Sequence, residues 1–259
     1  MKIIGMVPAR MESTRFFGKP LARICGMTMI QHVYERCCLS KTLDEVYVAT
    51  CNEEIMEEVV SFGGKAIMTS NEHRNCIDRV AEACNNINTD ADIVVVIQGD
   101  EPLTYPEMID QAVSPFKTDK DLVCSNLISA IDSEEDFNNP NVIKVTKDLQ
   151  NYALYFSREA VPSAKKCKET FNKYRQVCIL PFKKDFLMKY VQMAPTPLEM
   201  VESVDMLRII ENGYKIKLVE TIYKTMGVDD ENDRLRVEEI MKDDPLFQSH
   251  YSKGINYAN

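Results

Sequence analysis

Three cations fall within a ten-residue stretch near the start of the chain: Arg10, Arg15 and Lys19, in MVPARMESTRFFGKPL, residues 6–21. They follow an apolar, β-rich run, KIIGMVPA, and surround Gly18. A guanidinium can hold phosphate oxygens bidentately, an ammonium holds them as a point charge, and a glycine lets backbone approach a ligand closely. A solvated basic loop is the plainer reading. Its position directly after the first strand favours a phosphate cradle, because ligands of doubly wound sheets sit at the carboxyl ends of the strands. The loop is not a P-loop, since GxxxxGK[ST] is absent.

Two acidic sites accompany it. The apolar run DIVVVIQGDEP ends abruptly in Gln98, Gly99, Asp100 and Glu101. A carboxylate at the end of a buried strand, close to a polyphosphate, suits Mg²⁺, which takes one or two carboxylates plus phosphate oxygens. An aspartate in a plain strand-ending turn is the alternative. Asp229, in GVDDENDRLRV, could supply a second carboxylate, but Asp229 or Asp230 could equally cap the helix that follows.

The elements that would position these groups can be read from periodicity. KIIGMVPA, EVYVAT, KAIMTS and DIVVVIQ read as strands. MTMIQHVYERCC, NEEIMEEVVSFGG and CIDRVAEACNNI, set between them, read as helices. This alternation predicts an α/β fold: a Rossmann-like, mostly parallel sheet flanked by helices. Farther on, LVCSNLISAI, NVIKVTKD, NYALYFSR, RQVCILPF and KIKLVE read as strands at irregular spacing. PLEMVESVDMLRIIENG reads as one helix, with Leu198, Val201, Val204, Leu207 and Ile210 on a stripe. DENDRLRVEEIMKDD reads as a final helix. We expect a single domain over residues 1–259, with a mixed β insertion at about 121–225.

Composition narrows the partners. The 259 residues carry a formal net charge of −9, which argues against nucleic acid as the main partner, because that affinity comes chiefly from phosphate neutralisation. The first apolar stretch, residues 3–9, is too short for a signal sequence or a membrane span. The expectation is a soluble, cytoplasmic protein with no membrane partner. The nine cysteines are odd in number and lack CxxC spacing, so reduced thiols used as small apolar fillers are expected.

Taken in order, PARMESTRFFGKPL, QGDEPL, NYALYFSR, PTPLE and GVDDENDRLRV resemble the pattern of the CMP-Kdo synthetases, the 3-deoxy-manno-octulosonate cytidylyltransferases. The resemblance runs from about Lys2 to Met241. It implies a cytidylyltransferase that moves CMP from CTP to a sugar acid, Kdo or a Kdo-like acid, in lipopolysaccharide biosynthesis, releasing pyrophosphate. It also implies a Mg²⁺ cofactor and a homodimer, with the insertion at about 121–225 binding the sugar and carrying the dimer contact. Arg10, Lys19 and Asp100 would be catalytic. Ala9, Arg10, Arg15, Lys19 and Gln98 would bind the nucleotide. Arg79, Arg158, Gln176 and Glu202 would line the sugar side, and Asp100 and Asp229 would hold the metal.

The departures from that pattern lie on the sugar side. HRNCIDR places Asn75, Cys76 and Ile77 where the family has small polar residues and glycine. Gln176 replaces a usual histidine, Leu180 and Phe182 replace usual tyrosines, and Asp205 and Met206 replace a Glu–Gln pair. Two readings stay open: drift in a Kdo enzyme, or a different acceptor such as 8-amino-Kdo or a nonulosonic acid. A catalytically silent nucleotide-binding homologue is a third, set against the retained Asp100 and Asp229.

Overall fold

Apolar runs bounded by turn residues become strands here, and the 3.6-residue patterns between them become helices. The computed structural model describes residues 1–13, 15–73, 75–163, 165–166 and 171–250. Its early elements are β1 (Ile3–Ala9), β2 (Arg23–Ile24), β3 (Met27–Thr28), α1 (Met29–Cys38), β4 (Glu45–Thr50), α2 (Glu53–Ser61), β5 (Ala66–Met68), α3 (Cys76–Asn86) and β6 (Ile93–Ile97). Then follow α4 (Pro106–Val113), β7 (Cys124–Ala130), α5 (Glu134–Asn138), β8 (Lys144–Lys147), β9 (Ala153–Ser157), β10 (Tyr174–Val177) and β11 (Ile179–Lys183). The remainder is α6 (Lys184–Tyr190), α7 (Pro197–Glu202), α8 (Met206–Glu211), β12 (Ile216–Thr221), α9 (Glu231–Lys242) and α10 (Pro245–His250).

The chain forms two compact units. One, the parallel unit, holds Ile4–Asp90, Val96–Pro106 and the chain from Thr225 onward; the other, the mixed unit, holds Met1–Ile3, Ala91–Val95 and Glu107–Lys224. In the parallel unit β1 pairs in parallel with β4, from Ile4 opposite Glu45 to Ala9 opposite Thr50, and β4 pairs in parallel with β5. Every residue of β1 is buried, as expected of a strand covered on both faces. Carboxyl ends of these strands therefore share one edge. In the mixed unit β7 is central, antiparallel to β10 and β11 and parallel to β12, while β8 pairs antiparallel with β10 and β9. A parallel, helix-flanked α/β sheet with a mixed β insertion is thus the observed architecture.

Three sequence expectations need correction. RQVCILPF is two strands, β10 and β11, interrupted at Cys178. The helix expected over 197–213 is two helices, α7 and α8, because Ser203 turns left-handed at φ 52°. Arg158 stabilises that break: its Nε donates to the Glu202 carbonyl at 2.6 Å and its Nη2 to the Ser203 carbonyl at 3.2 Å. The expected stripe is accordingly not one face: Val204 and Leu207 are buried, whereas Val201 is 82% exposed. Finally, α4, α5, α6 and α10 are short helices that were not expected.

The parallel unit is closed by its last segment. Val228, Val237, Met241 and Phe247 pack with Ile24, Met27, Met29 and Leu103 in one apolar cluster. Beside it the fully buried Arg36 pairs with Asp244, which also accepts from the Tyr105 hydroxyl. None of the eight described cysteines forms a disulfide, and Cys167 lies outside the described residues. Among the described residues no helix is long and apolar enough to cross a membrane.

Candidate active site

The strand edge of the parallel unit opens into a cavity of about 660 Å³. That is within the usual size of a small-ligand site. Its lining comes from the ends of β1 and β6, the loop after β1, the start of α3, and the turn before α9. Ala9, Arg10, Arg15, Lys19, Arg79, Gln98, Asp100 and Asp229 all line it. Eight expected site residues, scattered over the sequence from position 9 to position 229, are therefore brought to one place.

The loop after β1 is held by its own backbone. Gly18 N–H donates to the Met11 carbonyl at 2.9 Å, closing the loop at its neck. Gly18 has φ 73°, the left-handed region where a side chain is disfavoured. Lys19, which follows, has a side chain only 14% exposed. Its Nζ donates to Asp100 Oδ2 at 2.7 Å and to the Val228 carbonyl at 2.9 Å, and lies 3.9 Å from Asp229 Oδ1. Arg15 Nη2 is 2.9 Å from the same Asp229 oxygen. Two cations and two carboxylates thus form one mixed-charge constellation, and Arg10 lines the same cavity.

The two carboxylates are brought together by main chain. Val228 N–H donates to the Asp100 carbonyl at 2.9 Å, which fixes the turn before α9 against the end of β6. Gly99 permits the close approach of β1: a Cβ there would lie 2.8 Å from the Pro8 carbonyl oxygen. The capping ambiguity at 229–230 is resolved by division of labour. Asp230 caps α9 by accepting from Asp233 N–H at 3.0 Å, and Asp229 faces the cavity.

The start of α3 supplies another wall. Asn75 caps the helix, its side chain accepting from Asp78 N–H at 2.9 Å, and Gln98 Nε2 donates to Cys76 Sγ at 3.4 Å. Arg79 is 3% exposed, and its Nη1 donates to Thr69 Oγ1 at 2.7 Å and to the Ser70 carbonyl at 3.2 Å. His73, also in the lining, pairs with Glu82. Burial alone would raise the Glu82 pKa, but hydrogen bonds from Ser70 N–H and His73 outweigh it and hold the carboxyl below its ordinary value.

The other expected sugar-side residues belong to the mixed unit, where Arg158 and Glu202 form a network of their own. Glu202 accepts from Arg158 N–H at 2.7 Å, Ser157 Oγ at 2.9 Å and Tyr155 Oη at 3.1 Å. The Arg158 guanidinium also donates to the Pro140 carbonyl, so its donors serve backbone at 140, 202 and 203. Burial pushes the Glu202 pKa up, yet the three hydrogen bonds and the Arg158 charge bring it below the ordinary value. Gln176 Nε2 donates to Asn126 Oδ1 at 2.8 Å.

Of the departures from the family pattern, only Asn75 and Cys76 line the cavity. Ile77, Phe182 and Met206 are wholly buried and Leu180 is 3% exposed, with the Phe182 ring packed against Tyr190. These are core residues, so the departures expected on the sugar side are divided between the cavity lining and the interior. The cavity also includes Glu12, Ser13, Phe17 and Met29, which sequence reasoning missed. Membership of the cationic loop was the only signal for the first three.

A family model described as Cytidylyltransferase matches residues 4–221. The chain is 45% identical over 253 residues to a 3-deoxy-manno-octulosonate cytidylyltransferase of Geotalea daltonii, covering 94% of this chain and 99% of the relative. It is 43% identical over 246 residues to the protein of the same name from Fusobacterium nucleatum, covering 95% and 99%. Among solved structures it is similar to a CMP:2-keto-3-deoxy-manno-octonic acid synthetase complexed with CTP, with TM-score 0.88, 34% identity, and coverage of 93% of this chain and 99% of that one.

Proposed function

The chain belongs to the cytidylyltransferase family, and from that premise we propose that it transfers CMP from CTP to 3-deoxy-manno-octulosonate, releasing pyrophosphate. One observation of this molecule supports the reading above others: Arg10, Arg15, Lys19, Asp100 and Asp229 converge in a single cavity. An anionic triphosphate matches the cations, and a divalent metal matches the carboxylates. The relatives named for this reaction and the structural neighbour complexed with CTP agree with it.

In this proposal the acceptor's anomeric hydroxyl displaces pyrophosphate from the α-phosphorus in line. Arg10 and Lys19 neutralise the phosphates and the charge that gathers on the leaving group. The loop after β1, closed through Met11 and Gly18, holds these donors in place before substrate arrives, which is where positioning contributes to rate. Ala9 and Gln98 lie at the ends of β1 and β6, where the cytidine end would rest. Arg79, itself held by Thr69 and Ser70, presents fixed positive charge to an acidic acceptor.

Asp100 and Asp229 fit a hard divalent cation: both present carboxylate oxygens to one cation already, the Lys19 ammonium. Mg²⁺ bound there would polarise the phosphoryl oxygens and favour ionisation of the attacking hydroxyl. Among the described residues no cluster of three His, Cys, Asp or Glu side chains is suited to a metal, so substrate oxygens would complete the coordination.

The core location of Ile77, Leu180, Phe182 and Met206 favours drift over a new acceptor. The test is pyrophosphate release from CTP, UTP, ATP and GTP against a panel of sugar acids. Kdo with CTP should give kcat/KM of roughly 10⁴ M⁻¹s⁻¹ or more. A different acid surpassing Kdo would transfer the reading to another acceptor, with Asn75 and Cys76 as the first residues to examine. No release with any pair would overturn it.

A further inference from the structure

Helix α2 starts with a residue that does not cap it. Asn52 is its N-cap, a position where Asn normally accepts a hydrogen bond from the second or third helical N–H. Here the side chain makes no such bond. Asn52 Oδ1 instead accepts from Met11 N–H at 3.0 Å, forty-one residues away in sequence. A favourable local interaction has been given up for a distant one, and Glu53 and Glu54 in the first turn are left to complement the helix dipole.

The geometry shows what the diverted bond does. Parallel pairing of β1 with β4 ends at Ala9 opposite Thr50. Met11 and Asn52 each stand two residues beyond that pair, so they keep the register of the ladder. β4 has already turned into α2, and the Asn52 amide oxygen takes the part of a strand carbonyl. Asn52 is set in turn by its own N–H, which donates to Thr50 Oγ1 at 3.2 Å. The ladder is thereby carried one rung farther, out to the cationic loop.

Met11 is the neck of that loop. Its carbonyl accepts from Gly18 N–H and its N–H donates to Asn52, so one peptide unit on each side of Met11 is fixed. Arg10 and Glu12 on either side line the cavity; Asn52 does not. We infer that Asn52 is a positioning residue for nucleotide binding: it tethers the loop that carries Arg10, Arg15 and Lys19 without touching the ligand. This inference rests on the function proposed above.

Asn52→Ser and Asn52→Asp separate the tether from helix capping. Serine caps helices well but is too short to stand in for the amide oxygen. Aspartate keeps an acceptor at the same reach. Amide hydrogen exchange should show Met11 losing protection by about fivefold or more in Asn52→Ser and keeping it in Asn52→Asp, with α2 as protected as before. Asn52→Ser should raise KM for CTP about fivefold, with kcat within a factor of about two and unchanged thermal stability. Met11 protection unaffected by the serine would overturn the tether. Lost protection with an unchanged KM would overturn its role in binding. If the wild-type protein proved not to use CTP, the proposed function would fail while the exchange experiment still judged the tether.

Discussion

The parallel and mixed units treat their charged residues in opposite ways. In the mixed unit acidic and basic side chains are equal in number, so the whole net charge of −9 lies in the parallel unit. Yet it is the acidic unit that gathers Arg10, Arg15 and Lys19 around a cavity. There, Lys19 and Arg15 pair with carboxylates that we propose as metal ligands, so in that proposal each pairing would be exchanged for one with metal or phosphate. In the mixed unit Arg158 donates to three backbone carbonyls and Glu202 accepts three hydrogen bonds. Those bonds join the helix break at 202–203 to the chain at 140 and 155–158. Bulk charge therefore says little about a site, and a cation's current partners say much.

The contrast can be broken most decisively at Asp100. Asp100→Asn should lower kcat by two decades or more while circular dichroism and the melting temperature stay near wild type. The tie to the turn before α9 runs through the Asp100 main-chain carbonyl and survives the change. Wild-type turnover with unaltered Mg²⁺ dependence would remove the metal assignment.

Next in size is the cradle. Arg10→Ala and Lys19→Ala should each lower kcat/KM for CTP by roughly tenfold or more, the scale of a charge-assisted hydrogen bond of about 1.5–3 kcal/mol. Lys19→Ala should also tighten Mn²⁺ binding to the nucleotide-free protein, read by electron paramagnetic resonance, because Asp100 loses its ammonium partner. Unchanged kinetics and unchanged Mn²⁺ affinity would place the cations outside the site.

The smallest effect belongs to Glu202. Its pKa is held below the unfolded value of about 4.3. The ionised network thus adds stability that is present above that value and fades as pH falls through the lower, folded one. Glu202→Gln should melt about 2–4 °C below wild type at neutral pH, with the gap narrowing toward pH 3. A full loss of activity in a variant that melts normally would instead make Glu202 a ligand contact and blur the contrast between the units.

Much of this arrangement was readable from residue order. Strand and helix periods gave the early α/β alternation, and cations after β1 with Asp100 after β6 marked the cavity. What escaped depended on distant partners. Whether Asp229 or Asp230 caps α9 is decided by which one reaches Asp233 N–H, and both have the right chemistry. The 197–213 segment has a helical period throughout, but Arg158, forty-five residues before Ser203, holds its break. Leu180, Phe182 and Met206 stood out against the family pattern, yet only their burial shows that they fill core. Asn52 carries no local sign of its reach to Met11, since an asparagine ahead of a helix reads as a cap.

The buried Arg36–Asp244 pair has a consequence for the order in which the molecule is made. Arg36 emerges from the ribosome early, and its carboxylate partner only after residues 107–224 have been synthesised. Phe247, which seals the same apolar cluster, and Asp229, on the cavity wall, arrive with it. Nascent chains that stop before Thr225 thus carry an uncompensated interior guanidinium and half of the acidic pair. Translation itself withholds the finished cavity, so premature termination yields chains for quality control and no partly competent enzyme.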